Sequence, residues 1–155
     1  MKIDFWDCNA RLGRSNNPAD SKIHTVSQFM QYYEYAGIKG ALVFHNEALV
    51  DWRGGNDRLI REIQKTNSMY GCGVVVPSST GEIGDMGVYL DYLIVNKVKA
   101  IRLFPKLNNF SMKPYSIEEI LKAALKRNMP VFVDYINYAD SILPYSTWDY
   151  SPDFD

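Results

Sequence analysis

Val98-Lys99-Ala100-Ile101-Arg102-Leu103-Phe104-Pro105 is the stretch whose reading decides the fold. Ala100, Ile101, Leu103 and Phe104 form a near-continuous apolar run of strand length. Such a run suits a parallel strand covered on both faces better than an antiparallel strand with one wet face. Pro105 closes the strand at its carboxyl end, the side on which parallel sheets carry their ligands. Arg102 is the exception within the run. A guanidinium among apolar neighbours requires a carboxylate, a ligand or solvent to meet it, so Arg102 is either structural glue or a substrate contact.

Working outward, runs of the same kind occur at Ile3 to Cys8, Ala41 to His45, Gly71 to Val76 and Val131 to Asp134. They recur about every 30 residues, the size of one strand-plus-helix unit. Helical patterns fill the gaps. Thr25 with Gln28 reads as a capping box for a helix through Phe29, Met30, Tyr33 and Ala36, stopped by Gly37. Asn56 or Asp57 is expected to cap the next helix, with Leu59, Ile60 and Ile63 as its apolar stripe and Gly54-Gly55 as a turn before it. Asp85 opens a third helix. Ser116-Ile117-Glu118-Glu119 reads as a capping box for a fourth, which ends at Asn128.

Strict alternation of strands and helices predicts an α/β fold with a parallel sheet and right-handed crossovers. Two closures fit: about the first five units of a TIM (β/α)8 barrel, or a complete five-stranded doubly wound sheet. The tail favours the first. Ile136 to Tyr150 reads as an aromatic-rich loop, and Ser151-Pro152-Asp153 as the start of another helix, so the 155 residues read as a single domain that is an incomplete barrel. In that case Val43, Val75, Leu103 and Val133 would face inward without the layer that three further strands supply. The chain would then pair as a homo-oligomer or with the missing half, through the tail from Tyr138 to Phe154.

Composition excludes several classes. Seventeen basic and eighteen acidic residues, giving a formal charge of -1, leave no electrostatic footprint for nucleic acid. No apolar run reaches membrane-spanning length and no leader pattern opens the sequence, so the expectation is a cytoplasmic protein with no membrane partner. Cys8 and Cys72 are expected to be buried free thiols. No phosphate loop, nucleotide fingerprint or Ser-His-Asp set can be assembled.

Trp6-Asp7-Cys8-Asn9-Ala10-Arg11-Leu12-Gly13 resembles the first-strand signature, Asp-x-His-x-His-x-Gly, of the amidohydrolase superfamily. Gly37-Ile38 before Ala41-Leu42-Val43-Phe44-His45, the Gly55-Asn56 helix start, Gly73-Val74-Val75-Val76-Pro77 and Ala100-Ile101-Arg102-Leu103-Phe104-Pro105 are similar to the next units of its branch containing decarboxylases and lactone hydrolases. The resemblance implies a hydrolase-type barrel with a divalent metal, zinc, and covers about five-eighths of a family barrel. The chain departs from the pattern where it matters most. Asn9 and Arg11 stand in place of the two first-strand histidines, and Asp134 is the residue nearest to a fifth-strand histidine. An amide ligates zinc weakly and a guanidinium cannot ligate it, so the family's metal ligands are not intact.

In a parallel barrel the chemistry collects at the carboxyl ends of the strands, which predicts one mouth shared by Asn9, Arg11, His45, Arg102, Asp134 and Tyr135. His45 and Asp134 are the candidate catalytic groups, and Asn9, Arg11, Arg102 and Tyr135 the candidate substrate contacts. The arginine forks favour a small anionic molecule bearing a carboxylate or phosphate. Each position also has a structural reading: Asn9 and Arg11 as turn or surface residues, Arg102 and Asp134 as a buried ion pair, His45 as a hydrogen-bonded wall residue and His24 as an exposed one. The functional alternative to a barrel hydrolase is a non-catalytic α/β binding or assembly module.

Overall fold

The computed structural model describes residues 4–14 and 24–134. In chain order the main elements are β1 (Phe5–Leu12), α1 (Val26–Ala36), β2 (Ile38–His45), α2 (Trp52–Ile63), β3 (Met69–Val74), α3 (Met86–Val95), β4 (Val98–Leu103), α4 (Pro114–Lys126) and β5 (Val131–Val133). A short 3-10 turn, Asn46–Leu49, links β2 to α2.

All four strand pairings are parallel and the spatial order is β1-β2-β3-β4-β5. Every crossover therefore moves one strand further in the same direction. A doubly wound sheet needs a reversal of strand order, and none exists here, which removes that alternative. The sheet is instead a curled half-barrel of five strands alternating with helices. The curl is measurable. Three strand spacings would separate β1 from β4 by about 14 Å in a flat sheet, yet Arg102 on β4 reaches Asn9 on β1.

Two apolar layers sandwich the sheet. The outer one joins Leu12, Val43, Val75, Ile101 and Leu103 to Phe29, Tyr33, Leu59, Leu90 and Ile120 on the helices. The inner, concave one contains Phe44, Cys72, Val74, Ala100 and Phe104, with Leu42 and Phe132 packed against it. Val43, Val75 and Leu103 thus face the helices and not the inside as expected, while Val133 is 39% exposed. Counting alternation from apolar residues alone cannot distinguish two faces that are both apolar.

β1 runs four residues beyond the expected Cys8, for a specific reason. Asp7 pairs with Ala41 and Ala10 with Val43, so three steps on β1 oppose two on β2: a β-bulge. Before the bulge Asp7 faces α1, where the Tyr33 hydroxyl donates to its Oδ2 at 2.9 Å. After it Ala10 and Leu12 take the helix-facing positions, and Asn9 and Arg11 are left for the concave side. Asp7 Oδ1 accepts the Asn9 N–H at 2.9 Å, which holds the extra residue in place. Cys8 lies on the bulge and is exposed, contrary to expectation, whereas Cys72 is buried.

The capping box of Thr25 and Gln28, the Gly37 stop at φ +71°, the Asp85 cap and the positive φ of Asn128 all occur as the sequence indicates. Two helix starts do not. α2 begins at Trp52, capped by Asp51, which accepts the Gly54 N–H at 3.0 Å. Gly54 and Gly55 are therefore helical, and Gly55 is required because a Cβ there would strike the Ala48 backbone. α4 starts at Pro114, whose fixed φ suits a first helical position, so Ser116 lies inside the first turn. Asn56 is buried mid-helix: its Nδ2 donates to the Val74 carbonyl at 2.7 Å and its Oδ1 accepts the Val74 N–H at 2.9 Å.

Candidate functional site

Arg102 is the centre of the concave face. It is 7% exposed, and its position follows from strand parity: Ala100, Arg102 and Phe104 alternate onto the inner side while Ile101 and Leu103 pack on the helices. The Arg102 Nε lies 2.6 Å from Asp134 Oδ2, and Nη2 donates to Asn9 Oδ1 at 2.7 Å. The guanidinium carbon sits 4.5 Å from the Phe44 ring centroid, 5.6 Å from that of Phe132 and 5.8 Å from that of Phe104. Three rings thus surround a cation whose edge is held by a carboxylate and an amide. Stacking of this kind is available to arginine because its planar, delocalised charge is weakly hydrated.

Asp134 follows β5 directly and is anchored by its backbone N–H, which donates to the Leu103 carbonyl at 2.9 Å. Burial raises its carboxyl above the ordinary 3.8, against the opposing pull of Arg102 and, more weakly, of Arg11. Arg11 is paired in register with Phe44, on the concave side, and is partly exposed. Two guanidinium groups therefore act on one carboxylate at the carboxyl ends of β1, β4 and β5. Cys72 lies in the same layer, where burial pushes its thiol up to about 12 despite Arg102. At neutral pH it is a protonated thiol and not a nucleophile.

Of the six residues expected at one mouth, Asn9, Arg102 and Asp134 are in direct contact and Arg11 is within electrostatic reach. His45 is not among them. It pairs with Leu12, which packs in the outer core, so it stands on the other side of the sheet from Arg102. There its Nδ1 accepts the Glu47 N–H at 3.2 Å, and burial lowers its pKa. It lines a separate cleft of about 480 Å³ with His24, Asn46, Glu47 and Arg58. His24 is partly buried there and not exposed as expected. Tyr135 and the tail from Tyr138 to Phe154 lie outside the described residues.

Asn9, Arg11 and Asp134, the positions that the resemblance to the amidohydrolase superfamily compares with metal ligands, do not fit a zinc ion. The Asn9 amide oxygen accepts from Arg102, Arg11 is a guanidinium, and Asp134 is ion-paired. Among the described residues no group of three His, Cys, Asp or Glu side chains is placed to hold a metal. Sequence reasoning missed the aromatic enclosure of Arg102, although the signal was there: Phe44, Phe104 and Phe132 share its strand phase. The contact of Asn9 with Arg102 had no such signal, because it depends on the bulge.

No protein-family model matches the chain, and no curated protein matches it in sequence. In the solved structures it is similar to an apo crystal structure of the Agrobacterium tumefaciens protein ATU3138, with a TM-score of 0.61 and 11% identity. The similarity covers 92% of this chain and 52% of that one, so the chain spans about half the length of its structural neighbour. At that identity the likeness concerns the fold alone.

Proposed function

We propose that the chain is part of a cytoplasmic, amidohydrolase-like barrel protein that binds a small carboxylate-containing molecule on its concave face without the family's metal. The observation that carries this reading is the convergence, at the carboxyl ends of the strands, of Arg102, which is ion-paired with Asp134, and Arg11, which lies within electrostatic reach of the same carboxylate. Arginine forks at the carboxyl ends of the strands favour a carboxylate ligand, which they meet with bidentate, charge-assisted hydrogen bonds. The Phe44, Phe104 and Phe132 rings lower the local polarity, which strengthens any charge-assisted hydrogen bond made there. Asp134 takes up a proton at this site more readily than an exposed carboxylate does, because burial already disfavours its charge. Isothermal titration of the full chain with a panel of small mono- and dicarboxylates tests the reading. Binding lost in Arg11→Met, with the fold intact by circular dichroism, supports it; no binding by any member sinks it.

A second reading, an α/β assembly module that forms a homo-oligomer, draws on a different observation. Phe5 and Trp6 are 61% and 51% exposed on β1, an edge strand of the half-barrel. Exposed aromatics along β1, an edge strand among the described residues, favour association with another chain.

No helix among the described residues is long and apolar enough to cross a membrane.

A further inference from the structure

The chain has two histidines, and both line the same cleft, on the helix-facing side of the carboxyl ends of β1 and β2. A chain of hydrogen bonds ties these ends together. Gly13, immediately after β1, donates its N–H to the His24 carbonyl at 2.8 Å, and its own carbonyl accepts from Asn46 Nδ2 at 3.0 Å. The His45 ring lies directly against Gly13: a Cβ added there would come within 2.8 Å of the ring, and Gly13 holds a φ of +84°. On its other side His45 Nδ1 accepts the Glu47 N–H at 3.2 Å and so caps the turn Asn46–Leu49.

This geometry admits one protonation state. An Nδ1 that accepts a hydrogen bond carries no proton, so the ring is the neutral tautomer with its hydrogen on Nε2. A second proton would point at the Glu47 N–H, and the Glu47 carboxylate, 4.0 Å from Nδ1, is an alternative acceptor. That carboxylate is paired with Arg58. The groups facing His45 from every side are Glu47 from the turn, Arg58, Arg61 and Glu62 from α2, Arg14 from the β1 exit, and His24 ahead of α1.

We infer that His45 is an acid-sensitive latch: neutral, it holds the exit turns of β1 and β2 together through Gly13 and Glu47, and on protonation it releases both. The proton that arrives on Nδ1 removes the cap on the Asn46–Leu49 turn and draws the Glu47 carboxylate from Arg58. The ring cannot turn toward Glu47 without leaving Gly13, so the same event loosens the link to His24 and Asn46. Burial keeps the latch closed to a lower pH than an exposed histidine would, because it lowers the ring's pKa from 6.5. The inference is independent of any ligand on the concave face, which lies across the sheet.

The test is a proton–nitrogen NMR titration of the full chain from about pH 7.5 to 5. The Gly13 and Glu47 amides are expected to shift with one common midpoint below 6.5, shared with the His45 ring. Their protection from exchange, corrected for intrinsic rates, is expected to fall about tenfold across the transition. His45→Asn supplies an acceptor that does not titrate and should flatten the response, whereas His24→Asn should keep it. Amides that stay constant while the His45 ring titrates overturn the latch, even if neither variant folds. So does a response that survives His45→Asn or vanishes in His24→Asn.

Discussion

Asn9 and Arg102 are separated by 93 positions and by three strand spacings, yet their side chains meet at 2.7 Å across the hollow of the sheet. The contact requires two things at once: a bulge that turns Asn9 inward, and a curl that brings β1 toward β4. With Asp134 it forms a chain of partners running from the first strand to the end of the fifth.

Removing the centre of that chain should be costly. Arg102→Met is expected to destabilise the protein by roughly 3–5 kcal/mol at neutral pH, because it leaves Asp134 as a buried carboxylate without its counter-charge. Urea denaturation checks this. The double variant Arg102→Met with Asp134→Leu should recover a large part of the loss, since no buried charge is then stranded. A single variant within about 0.5 kcal/mol of wild type would mean the pair is only a surface contact.

Carboxylate binding should be coupled to protons. Burial raises the pKa of Asp134, and a second anion placed beside it raises it further, so binding takes up protons. Affinity should therefore increase as pH falls toward the range in which Asp134 titrates, as long as the ligand itself remains ionised. Titration calorimetry in buffers of different ionisation enthalpy reads the uptake directly. Proton release, or none, would contradict the assignment of Asp134 as the responding group. The stability term has the same origin. A carboxyl whose folded pKa is raised lowers stability as pH rises through that pKa, so Asp134→Asn should flatten this part of the stability profile.

Elemental analysis of purified protein should find no stoichiometric zinc, since an amide, a guanidinium and an ion-paired carboxylate are poor substitutes for imidazole ligands. About one zinc per chain, lost on changing Asp134 to Ala, would reverse that view.

The repeating strands and several helix ends were legible in the sequence because they depend on local rules: apolar runs, the Thr25–Gln28 box, Asp85 and the left-handed Asn128. What stayed illegible depends on pairing. The β1 bulge shifts the phase of side-chain alternation between Asp7 and Ala10, so that both face the helices, and nothing in Asp7-Cys8-Asn9-Ala10 signals it without β2 alongside. The same limit explains why the sequence alone places His45 beside Arg102. Both follow apolar runs, and only the strand register separates the faces on which they lie. The Arg102 and Asp134 pair, by contrast, followed from simple need: a buried cation requires an anion, and Asp134 closes the neighbouring strand.

Light scattering should give a mass above the 17.8 kDa of a single chain if the exposed edge of β1 associates. Replacing Phe5 and Trp6 with lysine should return it to a monomer. A wild-type monomer at all concentrations would leave the assembly reading without support.

Asn56→Leu should cost about 3 kcal/mol by leaving the Val74 N–H and carbonyl unpaired in the interior. Asn56→Asp should cost nearly as much, because a carboxylate still accepts from the N–H but repels the carbonyl. A cost below about 1 kcal/mol for both would mean that water takes over the role.

By binding both polar groups of Val74, Asn56 does for β3 what an adjoining strand would do. Pairing between β2 and β3 covers only Ala41 to Val43 with Met69 to Gly71, while β1 and β2 remain paired as far as Leu12 and His45, and β3 and β4 as far as Val74 and Arg102. The wall of the half-barrel is therefore split at its rim into two leaves, β1–β2 and β3–β5, with a helix side chain wedged in the slit. Asn9 belongs to one leaf and Arg102 to the other, so their bond is a clasp across the hollow, and the width of the mouth is set by how firmly that clasp holds.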